Sequence, residues 1–156
     1  MRIVYADIRR LDPAIEQQHQ LQFMPLRDLL KISDFVTLHV PLTPETTHLI
    51  GAAQLGLMKK SAFLINASRG PVVDEKALVQ ALLAGTIAGA GLDVFEAEPQ
   101  VSPELLSLEN VLLLPHIGSA TDETREKMVQ RAVDNILAVI RGEIPPNLLN
   151  PEIYGK

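Results

Sequence analysis

The stretch INASRGPVVDEKAL, residues 65–78, decides how this chain is read. Ala62, Phe63, Leu64 and Ile65 precede and enter it as a continuous apolar run, the pattern of a strand covered on both faces. From Asp74 onward the pattern is that of a helix over Glu75–Leu83, with Asp74 placed to cap it. Between strand and helix lie Asn66, Ser68, Arg69 and Gly70. A permanent cation at the carboxyl end of a core strand asks for an anionic partner. The guanidinium fork suits a carboxylate or a phosphate, which it can grip with two parallel hydrogen bonds. A surface pair between Arg69 and Asp74 is the plainer alternative.

The same alternation continues in both directions. Strands are expected at Arg2–Ala6, Gln20–Met24, Phe35–His39, Ala62–Asn66, Ile87–Val94 and Val111–Leu114. Helices are expected at Leu26–Lys31, Ala52–Met58 and Glu75–Leu83. A long amphipathic stretch, Thr121–Arg141, places Met128, Ala132, Ile136 and Val139 near helical spacing. Apolar, β-branched strands alternating with helices predict an open, parallel α/β sheet. The segment from Gly142 to Lys156 holds three of the 11 prolines and reads as an extended surface tail.

Composition narrows the function. The 156 residues are 47% hydrophobic and 21% charged, ordinary for a globular domain. A net charge of −5 gives no general attraction to nucleic acid or anionic lipid, and 4% aromatics offers little for base stacking. The absence of cysteine removes disulfides and zinc–thiolate sites and fits a cytoplasmic location. No metal site, nucleic-acid partner or membrane partner is expected.

Two further strand ends carry polar groups. GAGLDVFEAEP, residues 89–99, runs from a small-residue strand into Asp93, Glu96 and Glu98, and VLLLPHIGSAT, residues 111–121, ends in Pro115, His116 and Gly118. In open α/β sheets ligands bind outside the carboxyl ends of the strands. A histidine and a carboxylate at neighbouring ends suit proton transfer, because the carboxylate orients the ring and raises its proton affinity. Each segment alone also reads as an ordinary turn or a solvated acidic loop.

Together, LHVPLTPETTHLI, LINASRGPVVDEKAL, GAGLDVFEAEP and LPHIGSAT, in this order, resemble the coenzyme domain of the D-isomer-specific 2-hydroxyacid dehydrogenases over nearly the whole chain. The resemblance implies a Rossmann-like doubly wound parallel sheet and hydride transfer between NAD and a small 2-hydroxy or 2-oxo acid. It implies that Arg69 binds the substrate carboxylate and that His116 is the acid/base. Glu98 would hydrogen-bond His116 and hold its proton affinity near neutrality. Asp93 would meet the nicotinamide end. Val40, Pro41, Ala67, Ser68 and Arg69, with the turn from His116 through Gly118 and Ser119, would line the cofactor cleft. Asp7, ending the strand RIVYAD, resembles the acidic residue that bonds the adenosine ribose. It favours NAD, with NADP left open because Arg9 and Arg10 follow closely; Asp7 as the start of a turn is the alternative. A homo-oligomer is also implied.

The departures are as informative. No G-x-G-x-x-G occurs, and Met1 matches a position commonly inside the longer proteins. The resemblance therefore implies a partial dinucleotide-binding domain at 1–141, lacking the first strand and glycine-rich loop, and a tail at 142–156 that returns toward an absent substrate domain. Such a fragment is not expected to be catalytically competent alone. A nucleotide-sensing regulator of the corepressor kind and a remnant that binds no cofactor are the other readings. Loss of the central strand predicts that an ordered chain must close the gap. Arg2–Ala6 could move inward, another chain could supply a strand, or the sequence could belong to a longer molecule.

Overall fold

In the computed structural model, which describes residues 1–154, strands and helices alternate from the first strand onward. The strands are β1 (Ile3–Tyr5), β2 (Leu21–Phe23), β3 (Phe35–Leu38), β4 (Phe63–Asn66), β5 (Gly89–Leu92) and β6 (Val111–Leu113). The helices are α1 (Pro13–His19), α2 (Leu26–Ile32), α3 (Ala52–Leu55), α4 (Glu75–Leu83), α5 (Pro103–Leu106) and α6 (Asp122–Ile140). The chain divides into two compact units, the first Met1–Pro115 and the second beginning at His116.

The first unit holds the sheet and its core. β3, β4, β5 and β6 are neighbours in that order and all parallel. Their register aligns Leu38 with Asn66, Asn66 with Leu92, and Leu92 with Leu113, so these four strands end level with one another. Leu64, at the centre of β4, is fully buried, and Leu30, Ile50, Leu55, Val72, Leu78, Ile87 and Leu105 close over the sheet. Gly89 is required on β5, where an added Cβ would come within 2.6 Å of the Asn110 carbonyl. α4 begins where the sequence places it: the Asp74 carboxylate accepts the Ala77 N–H at 2.9 Å.

β1 and β2 form a separate parallel pair, and among the described residues no ladder joins β1 to β3. The expectation that an ordered chain closes this gap is therefore not met within the chain; β1 stays beside β2. The reason is solvation. Unpaired backbone groups are costly when buried, whereas Phe35 and Thr37, on the open edge of β3, are exposed. Val4, Ala6 and Met24 still pack against the main core, which holds the pair in place.

Two helices were not expected. α1 starts at Asp12-Pro13, with the Asp12 carboxylate accepting the Ala14 N–H at 2.7 Å and proline in the first turn. α5 starts likewise with Ser102-Pro103. In the second unit, the apolar stripe of the long amphipathic stretch is on the surface. Met128, Ile136 and Val139 are exposed, and Ala138 is the buried residue of α6. The tail is exposed but not simply extended. Asn147 N donates to Asn135 Oδ1, and Asn135 Nδ2 donates to Asn147 Oδ1, so the segment folds back on α6.

Replacing Asp74 by alanine removes the α4 cap without disturbing the core. It is expected to lower unfolding stability by about 1 kcal/mol, read from urea denaturation.

Candidate functional site

Level strand ends bring the predicted residues that follow β3, β4 and β5 to one edge of the four-stranded sheet, while Asp7 follows β1 in the separate pair. Val40 and Pro41 follow β3, Ala67, Ser68 and Arg69 follow β4, and Asp93 follows β5 directly. Each segment is fixed by its own short-range bonds. Thr46 Oγ1 donates to the Pro41 carbonyl at 2.6 Å and accepts the Thr43 N–H at 2.8 Å, closing the loop after β3.

After β4, the organising residue is Asn66, which is buried. Its Oδ1 accepts both the Ser68 N–H at 3.1 Å and the Ser68 hydroxyl at 2.8 Å, while its Nδ2 donates to the Arg69 carbonyl at 3.0 Å. These bonds set the Ala67–Arg69 backbone. Arg69 is exposed, and its Nη1 donates to the Ser68 carbonyl at 2.6 Å. Among the described residues no ion pair joins Arg69 to Asp74, whose carboxylate is committed to the α4 cap.

Gly70 then passes directly against the loop after β5. A Cβ at this position would lie 1.8 Å from the Phe95 carbonyl oxygen and 2.6 Å from the Glu96 nitrogen. Only glycine permits that approach. The loop after β5 is further tied to α4 by a reciprocal pair: Glu75 N donates to Glu96 Oε2 and Glu96 N donates to Glu75 Oε2, both at 3.0 Å. Glu96 Oε1 lies 2.7 Å from His48 Nε2, which draws in the loop after β3 as well. Glu98, two residues on, accepts the Phe95 N–H at 2.9 Å through Oε1. Glu96 and His48 had no assigned role in the sequence reading. Their partnership spans 48 residues, and no local pattern announces it.

Asp93 is buried, with its N–H donating to the Asn66 carbonyl at 2.9 Å. His116 opens the second unit. It is exposed and has a left-handed backbone, φ 54°, an unusual conformation for a residue with a side chain. Ile117, Gly118 and Ser119 form the turn that follows, closed by Ala120 N donating to the Ile117 carbonyl at 2.9 Å.

The model of the D-isomer-specific 2-hydroxyacid dehydrogenase NAD-binding domain matches residues 1–118. The chain belongs to the D-isomer-specific 2-hydroxyacid dehydrogenases. The glyoxylate reductase of Korarchaeum cryptofilum is 56% identical over 156 residues, covering 98% of this chain and 46% of that protein. A Thermus thermophilus structure, the TT0316 protein, superposes with a TM-score of 0.86 at 45% identity, over 96% of this chain and 46% of its own. An NADPH-dependent glyoxylate/hydroxypyruvate reductase from Sinorhizobium meliloti, in complex with NADP and malonate, has a TM-score of 0.81 at 42% identity over 87% of this chain and 41% of its own. The chain thus spans about half the length of the curated relatives it matches. Among its described residues no helix is long and apolar enough to cross a membrane.

The residues of this chain suit part of an NAD molecule. Asp7, exposed just past β1, accepts the Arg9 N–H at 3.0 Å through Oδ1 and presents a carboxylate of the kind that pairs with a ribose diol. The polar backbone at the ends of β4 and β5 suits the other end. The sequence contains no G-x-G-x-x-G turn to hold the pyrophosphate. Beside Asp7 lies a built cluster. Arg10 Nε and Nη2 donate to Glu16 Oε1 and Oε2, both at 2.9 Å, and the Tyr5 hydroxyl donates to Glu16 Oε1 at 2.8 Å. The Arg10 fork, then the Tyr5 hydroxyl, hold the Glu16 carboxyl at about 2, against the opposing effect of burial.

Gly70→Ala is expected to cost at least about 1–3 kcal/mol, because the backbone of Phe95 and Glu96 has to move. Amide exchange is expected to rise in both loops and not in β6. For Glu16 the folded-state value lies below the ordinary carboxyl value, so its contribution is present above about 4.5 and is lost as pH falls toward about 2. The Tm gap between the parent and Glu16→Gln is therefore expected to shrink across that acid window in calorimetry.

Proposed function

We propose that this chain is the coenzyme-facing part of an NAD-dependent reductase of small 2-oxo acids, with glyoxylate as the first substrate to try. The observation that carries the reading is the shared strand-end edge. Parallel register brings Val40, Ala67, Ser68, Arg69 and Asp93 to the carboxyl ends of adjacent strands, where this class of sheet binds its ligands. The printed names of the glyoxylate reductases support the substrate class.

NADH, when bound, would supply the hydride for the carbonyl carbon of the 2-oxo acid. Arg69, exposed just after β4, pairs its fork with the substrate carboxylate and fixes the carbonyl in place. His116 gives its proton to the carbonyl oxygen as the hydroxyl forms, and takes it back in oxidation. Glu98 is the carboxylate partner assigned to that imidazole, and Asp93 serves the nicotinamide end. Asp7 selects the adenosine ribose diol over a 2′-phosphate, whose charge it repels. Without a glycine-rich turn the chain alone is expected to bind nucleotide weakly and to turn over little or no substrate.

The test is nicotinamide fluorescence titration and glyoxylate reduction, on this chain and on a chimera bearing the amino-terminal half of the Korarchaeum relative. Turnover in the chimera supports the proposal; none with glyoxylate, hydroxypyruvate or other small 2-oxo acids overturns it. In the active chimera, Arg69→Lys is expected to raise KM for the oxo acid, since lysine keeps the charge and loses the fork. His116→Ala is expected to lower kcat roughly 10²–10⁴-fold. Normal turnover by His116→Ala would remove it from the chemistry.

A further inference from the structure

Two arginines follow Asp7, and among the described residues the side chain of Arg10 alone is committed. Arg9 contributes its N–H to Asp7 Oδ1, which closes the turn. Arg10 is gripped along its fork by Glu16 on α1, its guanidinium carbon 5.9 Å from the centre of the Phe23 ring. Tyr5 braces both ends of this arrangement: its hydroxyl donates to Glu16 Oε1 and accepts the Leu11 N–H, each at 2.8 Å. Tyr5 in turn packs edge-on against Phe23, with ring centres 5.4 Å apart.

An arginine beside the acidic residue that ends this strand is the usual means of accepting a 2′-phosphate. Here that arginine is not at liberty to do so. Turning Arg10 toward a phosphate would break two charge-assisted bonds and leave Glu16, only 9% exposed, without its counter-ion. We infer that Glu16, seated by Tyr5, is a coenzyme-specificity residue: it withholds the Arg10 guanidinium from the 2′ position and leaves Asp7 to select the ribose diol. Glu16 acts through Arg10 and touches no nucleotide itself. The inference rests on the nucleotide-binding reading of the Asp7 turn.

The experiment compares adenosine 2′,5′-bisphosphate with 5′-AMP, which differ only by the 2′-phosphate, by titration calorimetry on the full chain. In Glu16→Gln, affinity for the bisphosphate is expected to rise about tenfold relative to 5′-AMP, the effect of one charge-assisted contact. Adding Arg10→Ala to Glu16→Gln is expected to cancel that gain, while Arg9→Ala added instead keeps it. Tyr5→Phe, which leaves the ring packing in place, is expected to shift the ratio in the same direction by less, and it serves if Glu16→Gln does not fold. An unchanged ratio with 5′-AMP still bound, or a gain that survives loss of Arg10, overturns the specificity role alone. Failure of the parent and all variants to bind either nucleotide overturns the nucleotide site itself, and this inference with it.

Discussion

Gly70 and the Phe95 carbonyl are packed so closely that no side-chain carbon fits between them, and the loops after β4 and β5 are held together by that approach. The loop after β4 carries Arg69 and the loop after β5 carries Glu98. Backbone contact at Gly70 joins the two loops at the residue next to Arg69 and three before Glu98. Asn66 completes the effect from within, because one buried amide fixes three successive groups of the chain.

Glu96 extends the arrangement to a third loop. One oxygen accepts from the first residue of α4 and the other meets His48, so a single carboxylate joins the loops after β3 and β5 to the start of a helix. Glu75 and Asp74 lie at the same helix end, where backbone N–H groups are unpaired and the helix dipole favours negative charge. That explains how three carboxylates tolerate one another there. Glu98, although it is in the same acidic run, makes a different contact. The segment that, taken alone, also reads as a solvated acidic loop holds carboxylates with distinct partners: Glu96 meets the Glu75 N–H and His48, and Glu98 accepts the Phe95 N–H.

Much of the fold was legible because parallel strands are apolar along their length and the turns between them are marked by capping residues. β4, α4 and the Asp74 cap could be placed from residues 62–83 alone. α1 carried signals just as plain, Asp12 and Pro13, but its residues Glu16, Gln17, Gln18 and His19 present no apolar stripe, and periodicity passes over it. α6 shows the converse. A stripe of apolar residues states that a face will be covered, and says nothing about whether this chain supplies the cover. Asn66 and Gly70 were visible as small polar residues beside an arginine, yet their tasks depend on what stands opposite them. Position 95 cannot be paired with position 70 by any local rule.

The Tyr5, Arg10 and Glu16 cluster shows why charge near a site is a poor guide to what the site binds. Read in one dimension, Asp7 favours a ribose diol, and the two arginines that follow leave a 2′-phosphate open. In three dimensions a residue six positions beyond Arg10 absorbs one of the two cations. Glu16 is nearly buried, so its pairing is less screened than an ordinary surface bridge. What remains at the strand end is one carboxylate and one exposed arginine whose backbone is already bonded to it. The balance there is close to neutral, and a neutral diol fits it better than a dianion does.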